Sequence, residues 1–277
     1  MLNTIFKDGL FEGKKALVTG GGTGIGLRIA RELATLGAEV VIASRKMENL
    51  EKGLNIITSE GGKAIALECN IRNEDSIAAC VAEAIEKIGG IDFLINNAGG
   101  QFPSPAENIN TKGWNAVIET NLSGTFHMSR HVYNTIMQKN GGAIVNIIAD
   151  MWNGFPMMAH TGAARAGVEN LTKTLAVEWG RNGVRVNSVA PGLIHSSGLD
   201  SYAPEFKQYI LSAGKNNQAN RMGTEEEVAA AVVYLLSPAA AYITGETLKV
   251  DAGESLYSPL FPPSEHEKIP PFKDSEN

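Results

Sequence analysis

Seven short apolar runs punctuate the chain. They are "KALVT" (15–19), "EVVIA" (39–43), "AIALE" (64–68), "DFLI" (92–95), "AIVNII" (143–148), "VRVNSV" (184–189) and "TLKVD" (247–251). Their apolarity is nearly continuous and rich in β-branched residues, the pattern of strands buried on both faces. Between them the period changes. Ile25, Ile29, Leu33 and Leu36 recur at helical spacing, and similar patterns occupy about 46–59, 74–87, 111–138, 161–181 and 225–236. Strands alternating with helices predict an α/β chain. The expected architecture is a doubly wound Rossmann fold, with a parallel sheet of about seven strands and helices on both faces. One domain is expected over 1–258. Five of the eleven prolines fall in "PLFPPSEHEKIPP" (259–271), so 259–277 reads as an extended, loosely held tail.

Composition narrows the partners. Of 277 residues, 43% are hydrophobic and 19% charged, an ordinary globular balance. The net charge of −6, with both signs scattered, argues against nucleic acid and against an anionic membrane surface. The longest apolar stretch, within "EEVAAAVVYLL" (226–236), is too short to span a bilayer. The first fifteen residues lack the pattern of an export signal. Cys69 and Cys80, the only cysteines, cannot form a disulfide framework and read as reduced core thiols. The final "DSEN" is not a Ser-Lys-Leu address, so the cytoplasm is the expected compartment.

The first chemistry lies in "VTGGGTGIG" (18–26), between the first strand and the first helix. Gly20, Gly24 and Gly26 let the backbone turn tightly and approach a pyrophosphate, which the free N–H groups of the helix start would receive. The end of the second strand then sets the cofactor. An NAD site expects a carboxylate there for the ribose 2′-hydroxyl. This chain has Ala43, Ser44, Arg45 and Lys46. Two cations at a helix start are unfavourable unless an anion is bound. A 2′-phosphate held by Arg45 and Lys46 accounts for them, so NADPH is expected over NADH.

These features, with "NNAG" (96–99), Asn121 in "NLSGTF" and "GVRVNSVAPG" (183–192), resemble the short-chain dehydrogenase/reductase family from about Gly13 to Tyr257. The stretches "VVIASRK", "CNIRNE", "GGQFPSPAE" and "HTGAARAGV" are most similar to its trans-2-enoyl-CoA reductases, with 2,4-dienoyl-CoA reductases a less close match. The resemblance implies further cofactor contacts: Thr23 and Ile25 in the turn, Asn70 and Ile71 after the third strand, and Asn97, Ala98 and Gly99 after the fourth. Pro191, Gly192 and Ile194 would border the nicotinamide, and Asn121 would anchor a proton-relay water. It also implies an acyl-CoA partner, a lid at about 195–221 and a homotetramer packed through the two long helices.

One departure is decisive. The family usually carries Tyr-x-x-x-Lys on the helix after the fifth strand, and a serine at that strand's end. Here the matching positions hold Thr161 and Arg165, and Ile148 or Ala149 stands for the serine. A ketone reduced to an alkoxide needs a proton donor at oxygen, and threonine is a far weaker acid than tyrosine, with its pKa of about 10. An enoyl thioester reduced at Cβ gives a delocalised enolate instead. Hydrogen bonds and a fixed cation can stabilise that charge. Arg165, which cannot act as an acid, would hold ribose and supply positive potential, and Thr161 would donate to the thioester oxygen.

Other readings stay open at these positions. Arg165 could pair with Glu169 on a helix surface. Asp150 is a candidate proton source for Cα or a loop carboxylate. His160 and His195 read as structural. "MWNGFPMM" (151–158) suits either an adaptable acyl slot or packing. Lys207, Lys215 and Arg221 would meet CoA phosphates or only solvent. Two rivals to enoyl-CoA reduction follow: dienoyl-CoA reduction, and a catalytically silent NADPH-binding protein.

Overall fold

The computed structural model describes residues 4–256 and 258–272. The apolar runs pair side by side as one parallel sheet. Its strands are β1 (Lys15–Thr19), β2 (Glu39–Ser44), β3 (Lys63–Glu68), β4 (Phe93–Asn96), β5 (Gly142–Ile147), β6 (Val184–Pro191) and, after the two-residue strands β7 (Ile194–His195) and β8 (Gly223–Thr224), β9 (Thr247–Val250). The order across the seven-stranded sheet is β3-β2-β1-β4-β5-β6-β9. The chain starts at the centre, winds outward through β2 and β3, then returns to the other side of β1 with β4. The reversal opens a crevice beyond the carboxyl ends of β1 and β4.

Helices cover both faces, which is why the strands are apolar throughout. Helix α1 (Gly24–Thr35) and α9 (Glu225–Leu236) pack over one side, with Ile29, Leu33, Val228 and Val232 against Val18, Ile42 and Val145. On the other side, Ile77 and Val81 of α3 (Glu74–Ile88) meet the opposite set of strand residues, Leu17, Val41, Leu94 and Ile144. Helix α2 (Met47–Ser59) joins β2 to β3. Cys69 and Cys80 are buried free thiols. Among the described residues, no helix is long and apolar enough to cross a membrane.

The stretch expected as one helix over 111–138 is broken twice by wider turns. Helix α4 (Thr111–Ile118) passes into a π-helical turn at Glu119–Ser123, then α5 (Gly124–Val132), a second π turn at Tyr133–Met137 and the short α6 (Gln138–Asn140). A π turn inserts one residue without ending the helix, and such turns favour functional positions. The first holds Asn121.

Helix α7 (Ala159–Gly180) is tied to the sheet by buried polar groups. Asn96 Nδ2 donates to Ser129 Oγ and to Asn146 Oδ1, each at 2.8 Å. Asn146 Nδ2 reaches Thr172 Oγ1 at 2.9 Å, and that hydroxyl lies 2.7 Å from Ser188 Oγ. Removing the middle amide takes one buried hydrogen bond from each of Asn96 and Thr172. Asn146→Ala is therefore expected to lower stability by about 1–3 kcal/mol, read as a shifted urea midpoint with an unchanged m-value.

Between β7 and β8 the chain makes an excursion through α8 (Pro204–Ala213). The pairing of Ile194 with Gly223 and His195 with Thr224 closes its neck. The proline-rich segment is held more firmly than its composition predicts. Asn220 donates to Ser264 O, Arg221 to Ile269 O and Pro270 O, and Thr224 Oγ1 to Phe272 O. Proline removes N–H donors but leaves carbonyls free to accept.

Candidate functional site

A cavity of about 1060 Å³ opens along the carboxyl ends of the strands. Its first wall is the glycine turn. Gly20 takes φ +66°, a conformation that favours glycine, and its N–H bonds Ala43 O at 2.7 Å. At Gly26 a side chain would overlap the Gly20 carbonyl and the Asn97 amide. Thr23 caps α1 in an extended conformation and makes no side-chain cap bond, and no acidic residue occupies the helix's first turn. This leaves backbone donors free at the helix start. Ile25, Asn70 and Ile71 line the same wall.

Thr19 fastens the β4 end to this turn. Its hydroxyl accepts from Asn97 N at 3.0 Å and Ala98 N at 3.1 Å and donates to Ile95 O at 3.2 Å. Asn97 Nδ2 returns to Thr19 O at 3.1 Å. Ser44, Arg45 and Lys46 line the cavity beyond β2, and among the described residues neither cation has an ion-pair partner. The nearby Glu48 bonds Lys52 instead, at 2.7 Å. The donors and unpaired cations fit a phosphorylated dinucleotide.

At the far end, the two readings of Arg165 separate. Glu169 bonds Lys173, at 2.7 Å, so it is not the arginine's partner. Arg165 points inward and is only 8% exposed. Nη1 donates to Ile147 O at 2.9 Å, Nη2 lies under Gly99, and Nε has no partner. Among the described residues no carboxylate pairs with it. Burial pushes its pKa down to about 10, so it remains charged at neutral pH. A buried charge without a counter-charge is costly to hold. The cavity surface there is prepared for an electron-rich group.

Two residues are placed differently from expectation. Thr161 is fully buried, does not line the cavity, and its hydroxyl lies 3.2 Å from His160 Nδ1. A side chain one carbon beyond Cβ is too short to reach out of the helix's first turn, so it offers no direct bond to a thioester in this arrangement. Asn121 is fully buried, and both ends of its amide serve Gly100: Oδ1 accepts from Gly100 N at 2.9 Å and Nδ2 donates to Gly100 O at 2.8 Å. Its side chain therefore positions the loop after β4. His160 is buried edge-on to Phe102, and His195 is exposed.

The last wall carries carboxylates. Asp150 lines the cavity, and its N–H bonds Pro191 O at 2.9 Å. Burial raises its pKa, with the Asp251 charge adding to the effect. Pro191, Gly192 and Ile194 line the adjoining surface. Glu254 also lines it and was invisible to motif reading. The available signal was its place just after the last strand, where the fold gathers functional groups.

One wall is apolar. Phe155, Met157 and Met158 line the cavity together with Tyr202, Phe206 and Ile210 of the segment between β7 and β8. Met157 holds φ +65°, a strained value for a non-glycine residue. Gln101 Nε2 donates to Tyr202 Oη at 2.6 Å and joins the loop after β4 to that segment. Met151 and Trp152 lie outside this lining, and the Trp152 ring instead receives the Lys249 ammonium at 3.9 Å. Two basic residues of that segment are engaged elsewhere. Lys207 bonds Asp200 at 2.6 Å and Arg221 bonds Glu227 at 2.6 Å; neither they nor Lys215 line the cavity.

Comparison with known proteins follows the same lines. A family described as Enoyl-(Acyl carrier protein) reductase matches residues 20–255. A peroxisomal 2,4-dienoyl-CoA reductase of Danio rerio is 38% identical over 92% of this chain and 85% of its own. The solved structure of a citronellol catabolism dehydrogenase from Pseudomonas aeruginosa PAO1 is 48% identical, covering 91% of this chain and 99% of that one, with a TM-score of 0.82. An actinorhodin polyketide ketoreductase variant, solved with NADPH, is 32% identical over 88% of this chain and 98% of that one, with a TM-score of 0.83.

Proposed function

The chain belongs to the short-chain dehydrogenase/reductase family of oxidoreductases, and on that premise we propose that it uses NADPH to reduce a carbon–carbon double bond conjugated to the thioester of an acyl-CoA. The reaction is trans-2-enoyl-CoA plus NADPH and a proton, giving acyl-CoA and NADP⁺. One observation carries this reading. The buried cation Arg165 stands without a carboxylate partner where the family's proton-donating set is absent. That arrangement stabilises a delocalised negative charge and does not protonate an alkoxide.

The glycine turn would hold the pyrophosphate and Arg45 with Lys46 the 2′-phosphate. Bound there, NADPH supplies the hydride. Arg165 lends its charge to the thioester oxygen as the enolate forms, and Asp150 faces the same space as a proton carrier for Cα. The apolar lid and Met157–Met158 wall exclude water from the acyl chain. A 2,4-dienoyl-CoA extends the enolate by one double bond, and the name of the Danio rerio relative favours it as the second reading. The citronellol catabolism protein adds support for a branched acyl portion, which methionine-lined surfaces accommodate.

The cofactor part has its own test. Arg45→Asp is expected to weaken NADPH binding about tenfold to a hundredfold and leave NADH binding nearly unchanged, because the variant removes one charge-assisted hydrogen bond to the 2′-phosphate. Equal losses for the two cofactors in a fluorescence titration would assign Arg45 another role.

A further inference from the structure

Two acidic residues, Asp150 and Glu254, line the same cleft as Arg165, and each bonds the same short turn, Pro191–Leu193, Asp150 through its backbone and Glu254 through its carboxyl. Asp150 is anchored by its N–H to Pro191 O at 2.9 Å. The Glu254 Oε2 accepts from Leu193 N at 3.4 Å and lies 2.8 Å from where a side chain on Gly192 would begin. The loop following Asp150 is stitched to the same residue, since Asn153 Nδ2 donates to Glu254 O at 3.4 Å. Among the described residues neither carboxyl has an ion-pair partner. The cleft they face is built for a ligand: Arg165, 8% exposed, lines it with an unpartnered Nε.

We infer that Glu254 and Asp150 act as a pair that holds one proton beside Gly192 and delivers it to Cα of the substrate. The inference rests on the enoyl-reduction reading. The carboxyl O–H bond breaks as the enolate electron pair forms the Cα–H bond. The pair is then doubly ionised and regains a proton from solvent. Two ionised carboxylates in one partly buried space repel, so the first proton is held more tightly than in water.

The neighbouring charges agree. Burial, followed by the charges of Asp150 and Asp251, pushes Glu254 up to about 6. Asp251 differs. Burial raises it, but hydrogen bonds from Ser255 and Gly253 and the Lys249 charge outweigh that and lower it. It therefore stays ionised and keeps Glu254 high. The Lys249 ammonium lies against Ser255 Oγ, at 3.2 Å, and the Trp152 ring; its charge pulls Asp150 down, but burial and the Asp251 charge outweigh that and Asp150 stays raised.

The test compares wild type, Glu254→Gln and Asp150→Asn by steady-state NADPH oxidation with a trans-2-enoyl-CoA across about pH 5–8, since each turnover needs the proton as well as the hydride. The donor must be protonated to act, so the wild-type rate should fall as pH rises through about 6. Glu254→Gln should lose that dependence and slow turnover about a hundredfold, a general acid's usual contribution, with NADPH affinity unchanged. Infrared difference titration should show a carboxylic-acid band that titrates near the same pH and vanishes in Glu254→Gln. A Glu254→Gln enzyme with wild-type rate and pH profile overturns the pair, as does the absence of that band in wild type. If wild type shows the band but reduces no enoyl- or dienoyl-CoA, the substrate reading and the delivery to Cα both fail, while the shared proton stands.

Discussion

Arg165→Met is expected to slow single-turnover hydride transfer about a hundredfold at saturating NADPH, without lowering the melting temperature. Methionine keeps much of the side-chain length and removes the charge and every donor. The rate falls because the positive potential matters most as the enolate forms, so the loss lies in the chemical step rather than in uniform binding. Stability should respond differently. The guanidinium is buried with no carboxylate beside it and one unpartnered nitrogen, so the folded state gives up little when it leaves. Its hydrogen bond to Ile147 O disappears, and relief from holding an unpaired buried charge offsets that. A slowed enzyme that melts no earlier identifies a functional cation. An unchanged rate in stopped-flow NADPH oxidation would place the catalytic group elsewhere.

The second large effect concerns bond choice. The protein is expected to reduce a conjugated thioester at least about a hundredfold faster than a 3-ketoacyl-CoA, the scale of a missing general acid. Ketone reduction concentrates a full charge on one oxygen, and proton donation must accompany it. Thr161, the residue at the family's tyrosine position, is buried against His160 and cannot reach that oxygen. Ile148 and Ala149 line the cavity where the serine would stand, and neither carries a donor. An enolate spreads its charge toward the thioester oxygen, where a fixed cation suffices, and takes its proton at carbon. Asp150 and Glu254 lie on the wall suited to that second step.

Much of this was legible in the sequence, for identifiable reasons. Strands covered on both faces must be apolar throughout, and runs such as "AIVNII" announced themselves by that continuity. The cradle was legible because glycine, at Gly20 and Gly26, answers a steric demand that no other residue meets. The π turns were not, because inserting one residue barely disturbs a helical period. The β7–β8 pairing was too short to leave a pattern.

At the site, side-chain direction was the limit. Glu169 offered Arg165 a partner at the right spacing, and only packing shows that Lys173 takes it. Lys207 and Arg221 looked available for phosphates until Asp200 and Glu227 came within bonding distance. Glu254 belongs to no motif, and its meaning comes from the turn against which the last strand places it.

The most direct test is a comparison, under identical conditions, of NADPH oxidation by wild-type protein with a trans-2-enoyl-CoA, a 2,4-dienoyl-CoA and a 3-ketoacyl-CoA, with each product identified by mass. Fast oxidation is expected with a conjugated thioester, one hydride and one proton being added across carbon, and little or none with the ketone. Faster ketone reduction, or tight NADPH binding with no oxidation by any of the three, would contradict that expectation.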